Sequence, residues 1–288
     1  MSEACDSQIS KSRKRLCNPW AHLDDCGGFS ALAPVAAHKG AEEKLLTPTA
    51  EFGAFLRRTR GVRNPTDAQI RDFAIELQRM LWKHSKQIAG GAPSDPIQVL
   101  DPAVAIKHFG YTFDLEDTLG EMRSNGRTIE IAGVIDNENR SVRVSKRYPP
   151  ATRQFTAAHE LGHLLMHPSG GRHRDVPMDG SKASRDKHER QAEKFATYFL
   201  MPEKLLREEF KSRFLTENFT FTDESAFALD STSLSDMRKR YPNLRELARR
   251  LSETSAYNRR RFVPLNEHFG VSREAMAIRL EELGLLAM

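Results

Sequence analysis

The sequence predicts an α+β fold, with a small antiparallel sheet packed on a pair of apolar-faced helices and an extra helical C-terminal region. Three observations carry that prediction. Residues 128–135 and 141–144 alternate apolar and polar positions, with Ile129 and Ile131 before and Val142 and Val144 after an Asp136-Asn137-Glu138-Asn139 turn. From Pro150 onward, Phe155, Ala158, Leu161, Leu164 and Leu165 recur at the spacing of a largely buried helix. Further on, Ala192, Phe195, Ala196, Phe199 and Leu200 follow i, i+3, i+4, i+7, i+8, and Pro202 stops the run.

Composition sets the outer limits. The 288 residues are 39% hydrophobic and 29% charged, enough to bury a substantial core in one or two domains. Apolar runs stay well short of the roughly 18 residues that a membrane span needs. The first residues have no hydrophobic stretch of the kind a secretory signal requires. Cys5, Cys17 and Cys26 are odd in number and match no common metal spacing, so free thiols in a reducing cytoplasm are the expectation.

Taken in order, residues 1–48 mix small and charged residues without periodicity and read as a disordered tail. Residues 49–90 read as a helical extension. A short basic helix over 51–63 precedes a longer one, which starts at the capping-box pair Thr66 and Gln69 and carries an Ile70, Phe73, Ala74, Leu77, Leu81 stripe. A Gly- and Pro-rich linker opens the central domain, residues 91–214. There Asp101 suits a helix cap, Pro102 a first turn and Gly110 a helix end, with a strand near 111–115. The strand preceding the buried helix is expected to offer an open edge to an extended peptide. Residues 168–187 read as a mobile loop, 203–214 as a charged helix and 215–235 as irregular chain. The C-terminal domain, 215–288, has a helix over 244–251. It ends in a short helix, a turn at Gly270 and a helix capped by Ser272, an arrangement like a helix-turn-helix.

The chemistry concentrates at His159-Glu160-Leu161-Gly162-His163. Histidines at i and i+4 share one helix face, about 6 Å apart along the axis, and can grip one zinc ion. Glu160 between them is placed to take a proton from a water acidified by the metal, as a general base. Gly162 costs about 1 kcal/mol in mid-helix and makes sense where another backbone must come close. A third ligand is required. Glu189 extends the apolar stripe of the second helix, and Glu193, one turn on, is its rival. His167 lies about 12 Å along the axis from His159, so it belongs at the helix end or behind the ligands. His173, His188 and Tyr198 are candidate donors to a developing oxyanion. Nitrogen and oxygen ligands of this type also accept Mn2+.

The run Phe155-Thr156-Ala157-Ala158-His159-Glu160-Leu161-Gly162-His163-Leu164-Leu165-Met166-His167 is followed by Glu189-x-Gln191-Ala192-x-x-Phe195-Ala196-x-x-Phe199-Leu200-Met201-Pro202. The pair resembles the ImmA/IrrE family of metallo-endopeptidases, strongly over residues 128–202. The resemblance implies a zincin-like core, His159, His163 and Glu189 as zinc ligands, and Glu160 as catalytic base. Glu193 stands where the family more often has Asn. The best-known members cleave helix-turn-helix repressors and so switch on stress or mobile-element genes, so the implied partner is a repressor protein. The competing reading is a DNA-binding or sensory regulator with a non-catalytic zinc site. It rests on nine Arg or Lys against two acidic residues between Met237 and Phe262.

Overall fold

The computed structural model describes residues 49–86, 93, 95–124, 127–168, 172–175 and 187–288. The expected tail with its three cysteines, most of the linker and much of the 168–187 stretch lie outside the described residues. The chain divides into two units, Met1–Pro149 with Arg153–Phe199, and Pro150–Thr152 with Leu200–Met288. It is a mixed α+β structure, and no helix among the described residues is long and apolar enough to cross a membrane.

The first unit begins with two helices, α1 (Ala50–Gly61) and α2 (Asp67–Lys83). The capping box forms as the sequence predicts, since Thr66 accepts from the Gln69 backbone and Gln69 Oε1 accepts from the Thr66 N–H at 2.9 Å. After a 3-10 turn, α3 (Pro102–His108) is capped by Asp101, and Gly110 takes a positive φ of 76° beyond its end. Phe52 and Phe55 of α1 meet Phe73 of α2 and Phe109 at ring separations of 5.4–6.5 Å. Each such ring, once buried, contributes roughly 1.5–3 kcal/mol.

The strands depart from the expectation in three ways. The predicted strand over 128–135 is two strands. β1 (Thr112–Glu116) leads to a separate hairpin of β2 (Glu121–Ser124) and β3 (Arg127–Glu130). The chain then breaks at Ile131-Ala132 and resumes as β4 (Gly133–Asp136). All four residues of β4 are buried, so both its faces are covered and no alternation marks its start. Second, the sheet is mixed. β5 (Ser141–Ser145) runs antiparallel to β4 but parallel to β1, with Thr112 opposite Ser141. The crossover between the parallel strands is the β2–β3 hairpin and β4, which lacks the helical pattern that usually betrays such a connection. Third, β6 (Arg172–Asp175) lies inside the expected loop and pairs with β4, giving the order β1-β5-β4-β6. The strand just before the long helix is therefore paired on both sides and offers no edge.

The turn between β4 and β5 forms as predicted, with the Asp136 carboxylate accepting from the Glu138 and Asn139 N–H groups. The two long helices follow. α4 (Pro150–Met166) is buried at every position from Thr156 to Met166, and α5 is Lys187–Leu200. The N-terminal helices hold the ends of both. Arg60 of α1 donates to the Leu164 carbonyl in the last turn of α4 at 3.0 Å. Gln78 of α2, 1% exposed, donates to the Tyr198 and Phe199 carbonyls of α5 at 2.9 and 3.0 Å. These are carbonyls for which the helices have no internal partner.

The second unit holds α6 (Glu203–Phe214), β7 (Phe219–Thr220), α7 (Asp223–Asp230), α8 (Leu234–Arg240) and α9 (Leu244–Ser252). The hairpin of β8 (Ala256–Tyr257) and β9 (Arg260–Arg261), then α10 (Leu265–His268), α11 (Arg273–Glu282) and β10 (Leu286–Ala287) complete it. The expectation of irregular chain over 215–235 is wrong. Thr222 and Ser225 form a capping box that starts α7, a signal present in the sequence. The Ser272 cap and the Gly270 turn are as expected, but α10 has only four residues.

The basic stretch is largely engaged within this unit. Arg245 pairs with Glu274 and Glu281, and Arg249 with Glu274 and Glu246. Asp230, its side chain 7% exposed, accepts from Tyr241 at 2.6 Å and from Arg250 at 2.8 Å, and pairs with Arg240. Burial alone would raise the Asp230 carboxyl, but the hydrogen bonds from Tyr241 and Arg250 and the Arg250 charge outweigh it and hold it below its usual value.

Asp230→Asn is expected to cost about 2–4 kcal/mol at neutral pH. Because the folded carboxyl titrates below the unfolded one, this contribution is complete above about pH 4 and is lost as pH falls through the folded value. Urea unfolding of both chains should show a wide gap at pH 7 and a narrower one at pH 3. An equal gap at both would refute the assignment.

Candidate metal centre

Two helices bring the predicted ligands together, and a glycine sets how close they come. His159 and His163 project from one face of α4, one turn apart. Glu189 lies in the first turn of α5, where the helix dipole favours a carboxylate. A Cβ added at Gly162 would lie 3.0 Å from the Ala192 Cα and 3.2 Å from the Ala192 carbonyl oxygen. The α5 backbone thus rests on the hydrogen of Gly162, which answers why a glycine sits in the middle of a buried helix.

Across that contact the three side chains converge. His163 Nε2 lies 3.0 Å from His159 Nε2, Glu189 Oε2 lies 3.2 Å from His159 Nε2, and Glu189 Oε1 lies 3.4 Å from His163 Nε2. His159, His163 and Glu189 are the one group of His, Cys, Asp or Glu among the described residues with the geometry to hold a metal ion. A tetrahedral ion with nitrogen and oxygen ligands at about 2.0–2.1 Å needs donors about 3.3 Å apart, so this set fits such an ion closely. Glu193, the rival ligand, lies one turn further along α5 and outside the group. Burial would raise the Glu189 carboxyl, but hydrogen bonds from His159 and His163 dominate and hold it far below the usual carboxylate range. The histidines are buried, at 7% and 1% exposure, while the Glu189 side chain keeps 28%, so the cluster is walled on the helix side and open beside the carboxylate.

Glu160 is fully buried beside this cluster. A Cβ at Gly133 of β4 would fall 2.3 Å from Glu160 Oε1 and 2.6 Å from the Thr156 methyl. The carboxylate therefore lies directly against the β4 backbone. The sequence reading missed Gly133, although a single glycine in an apolar run is the mark of a close backbone approach.

His167 caps α4, as its spacing suggested. Its Nδ1 lies 3.2 Å from His163 Nδ1 and its Nε2 3.0 Å from Gln191 Oε1. Burial pushes its imidazole down to about 4, against the opposing hydrogen bond from Gln191. His188 stacks on it with ring centroids 4.4 Å apart. Of the candidate oxyanion donors, Tyr198 lies nine residues beyond Glu189 on α5, about 13 Å along the axis, and does not reach the cluster. The backbone of His173 pairs with Ile135 on β6.

Gly162→Ala should destabilise the protein by about 1–3 kcal/mol, although alanine is the better helix former by about 1 kcal/mol. Guanidinium unfolding would show it, and a stabilised variant would mean the two helices are not in contact there. Elemental analysis of the purified protein is expected to find one divalent ion per chain. It should be lost in His159→Ala, His163→Ala and Glu189→Ala and kept in Glu193→Ala. Retention in Glu189→Ala would move the third ligand elsewhere.

Comparison with known proteins agrees with this geometry. Residues 114–219 match the model of the IrrE N-terminal-like domain, Peptidase M78. No curated protein matches the chain. The matched segment runs from β1 to β7 and contains both site helices, and it leaves out α1 and α2, which hold their ends. With the paired motifs now found on two touching helices, residues 114–219 are similar to the IrrE N-terminal-like domain of the M78 peptidases.

Proposed function

We propose that the protein is a zinc-dependent endopeptidase that cuts a regulatory protein, with a helix-turn-helix repressor as the class of substrate. The observation that carries this reading is the convergence of His159, His163 and Glu189 within 3.0–3.4 Å beside the buried Glu160, inside a segment that matches a peptidase family. Zinc suits the donor set best, and manganese also fits two imidazoles and a carboxylate. When bound, the ion supplies Lewis acidity that acidifies a water molecule and polarises the peptide carbonyl.

The protein's own residues do the rest. Glu160 acts as general base, taking the proton of the attacking water and passing it to the departing amine. Its position against Gly133 fixes the carboxylate relative to the sheet. Burial of Glu160 and of both histidines keeps bulk water away and strengthens the electrostatic interactions among them. An extended substrate segment would pair with an unpaired sheet edge. Among the described residues the edges of the four-stranded sheet are β1 and β6, and β6 adjoins the strand that carries Gly133.

The repressor substrate, the cytoplasmic setting and a role in stress-responsive transcription follow from the family resemblance and from the cysteine usage. Engagement of Arg240, Arg245, Arg249 and Arg250 in ion pairs favours a packing role for the C-terminal helices over nucleic-acid binding.

Glu160→Gln tests the proposal. Zinc content should be unchanged and hydrolysis of a protein-derived peptide library, followed by mass spectrometry, should fall by about 10²–10⁴-fold. Full turnover by the variant would remove Glu160 from the mechanism.

A further inference from the structure

A line of hydrogen bonds leads from one metal ligand away from the site to the N-terminal helices. Gln191 Nε2 donates to the Pro65 carbonyl at 2.9 Å. That carbonyl can only accept, so the Gln191 amide is fixed with Oε1 toward His167. Oε1 lies 3.0 Å from His167 Nε2, which must then carry a proton. With its Nε2 proton directed at Gln191, His167 turns Nδ1 toward His163 Nδ1, 3.2 Å away, a gap that admits one proton. The single proton between the two Nδ1 atoms therefore sits on His163. Its Nε2 is left with a lone pair facing His159 and Glu189. His163, His167 and Gln191 are all at least nine-tenths buried, so the chain is shielded from water that could scramble these roles.

We infer that His167 and Gln191, anchored on the Pro65 carbonyl, are positioning residues that set the tautomer of His163 and so present its Nε2 to the metal. A ligand histidine ordinarily donates its second N–H straight to a carboxylate, a carbonyl or a water. Here an imidazole and an amide are interposed, and the last acceptor belongs to the turn before α2. The N-terminal segment, which lies outside the matched domain, thereby becomes part of the metal site. The inference rests on the reading of His159, His163 and Glu189 as ligands.

The test uses the full-length protein, with zinc affinity measured by competition against a chelator. Gln191→Met keeps the shape and loses both hydrogen bonds. Gln191→Glu keeps an acceptor for His167 but cannot donate to Pro65. Gln191→Met is expected to bind zinc 10–100-fold more weakly. Gln191→Glu should fall between the two, because the acceptor for His167 remains while the Pro65 anchor is lost. Nitrogen-15 shifts of the metal-free protein should place the His163 proton on Nδ1 in wild type and on a mixture of sites in Gln191→Met. Thermal unfolding confirms that each variant is folded.

Equal affinity of wild type and Gln191→Met would overturn the relay while leaving the metal site standing. Equal weakening by both substitutions would reduce Gln191 to an anchor for Pro65 and overturn it as well. Failure of wild type to bind zinc at all would sink the ligand assignment itself.

Discussion

The contact between Gly162 and the backbone of Ala192 is the constraint on which the site depends. His159 and His163 come from α4, and Glu189 comes from α5. Their donor atoms meet within 3.0–3.4 Å only because the two helix backbones touch one turn away. A methyl group at position 162 would separate the helices by a few tenths of an ångström, a change that metal coordination geometry does not absorb easily. The small residue at 192 on the opposite helix serves the same end. Close approach here is a matter of sterics, and it turns two separate sequence motifs into one cluster.

Several weaker interactions keep that contact in register. Arg60 and Gln78 satisfy carbonyls at the ends of α4 and α5, and Pro65 receives the Gln191 amide. Arg60 and Gln78 come from the first two helices and Pro65 from the turn between them. Buried carbonyls left without such partners would each cost about 1–3 kcal/mol. The N-terminal helices thus do more than add hydrophobic area through Phe52, Phe55 and Phe73. They hold the end of α4 beside His163 and the end of α5 opposite Glu189. Gly133 plays a matching part on the sheet side, since only a residue without a Cβ lets the Glu160 carboxylate lie on the β4 backbone.

In the second unit electrostatics takes the place that sterics holds in the first. Asp230 gathers Arg240, Arg250 and Tyr241, while Glu274 and Glu281 gather Arg245 and Arg249. In a stretch that reads as strongly basic along the chain, Lys239, Arg240, Arg245, Arg249 and Arg250 are thus paired with carboxylates, while Arg238 and the hairpin at Arg259, Arg260 and Arg261 are exposed. Charge density along a sequence and charge density on a surface are different quantities. The partners Asp230, Glu274 and Glu281 lie outside the basic stretch, where a window over it does not include them.

The sequence by itself determined the helices and their stops, because caps and apolar periodicity are local. Thr66 with Gln69, Asp101 with Pro102, and Ser272 each start a helix where the residues say they should. It also determined the identity of the metal-ligand candidates on α4, because i and i+4 spacing is a property of one helix. Only the tertiary structure decided the rest. The choice of Glu189 over Glu193 in the cluster depends on how α5 is rotated against α4, which is set at Gly162 and Ala192. The parallel pairing of β1 with β5, the split of the predicted 128–135 strand and the role of β6 depend on which strands are neighbours. A strand covered on both faces, as β4 is, loses the alternation that would announce it. The links from His163 through His167 and Gln191 to Pro65 join residues up to 126 positions apart. No periodicity encodes such a link, because it exists only once two elements have packed.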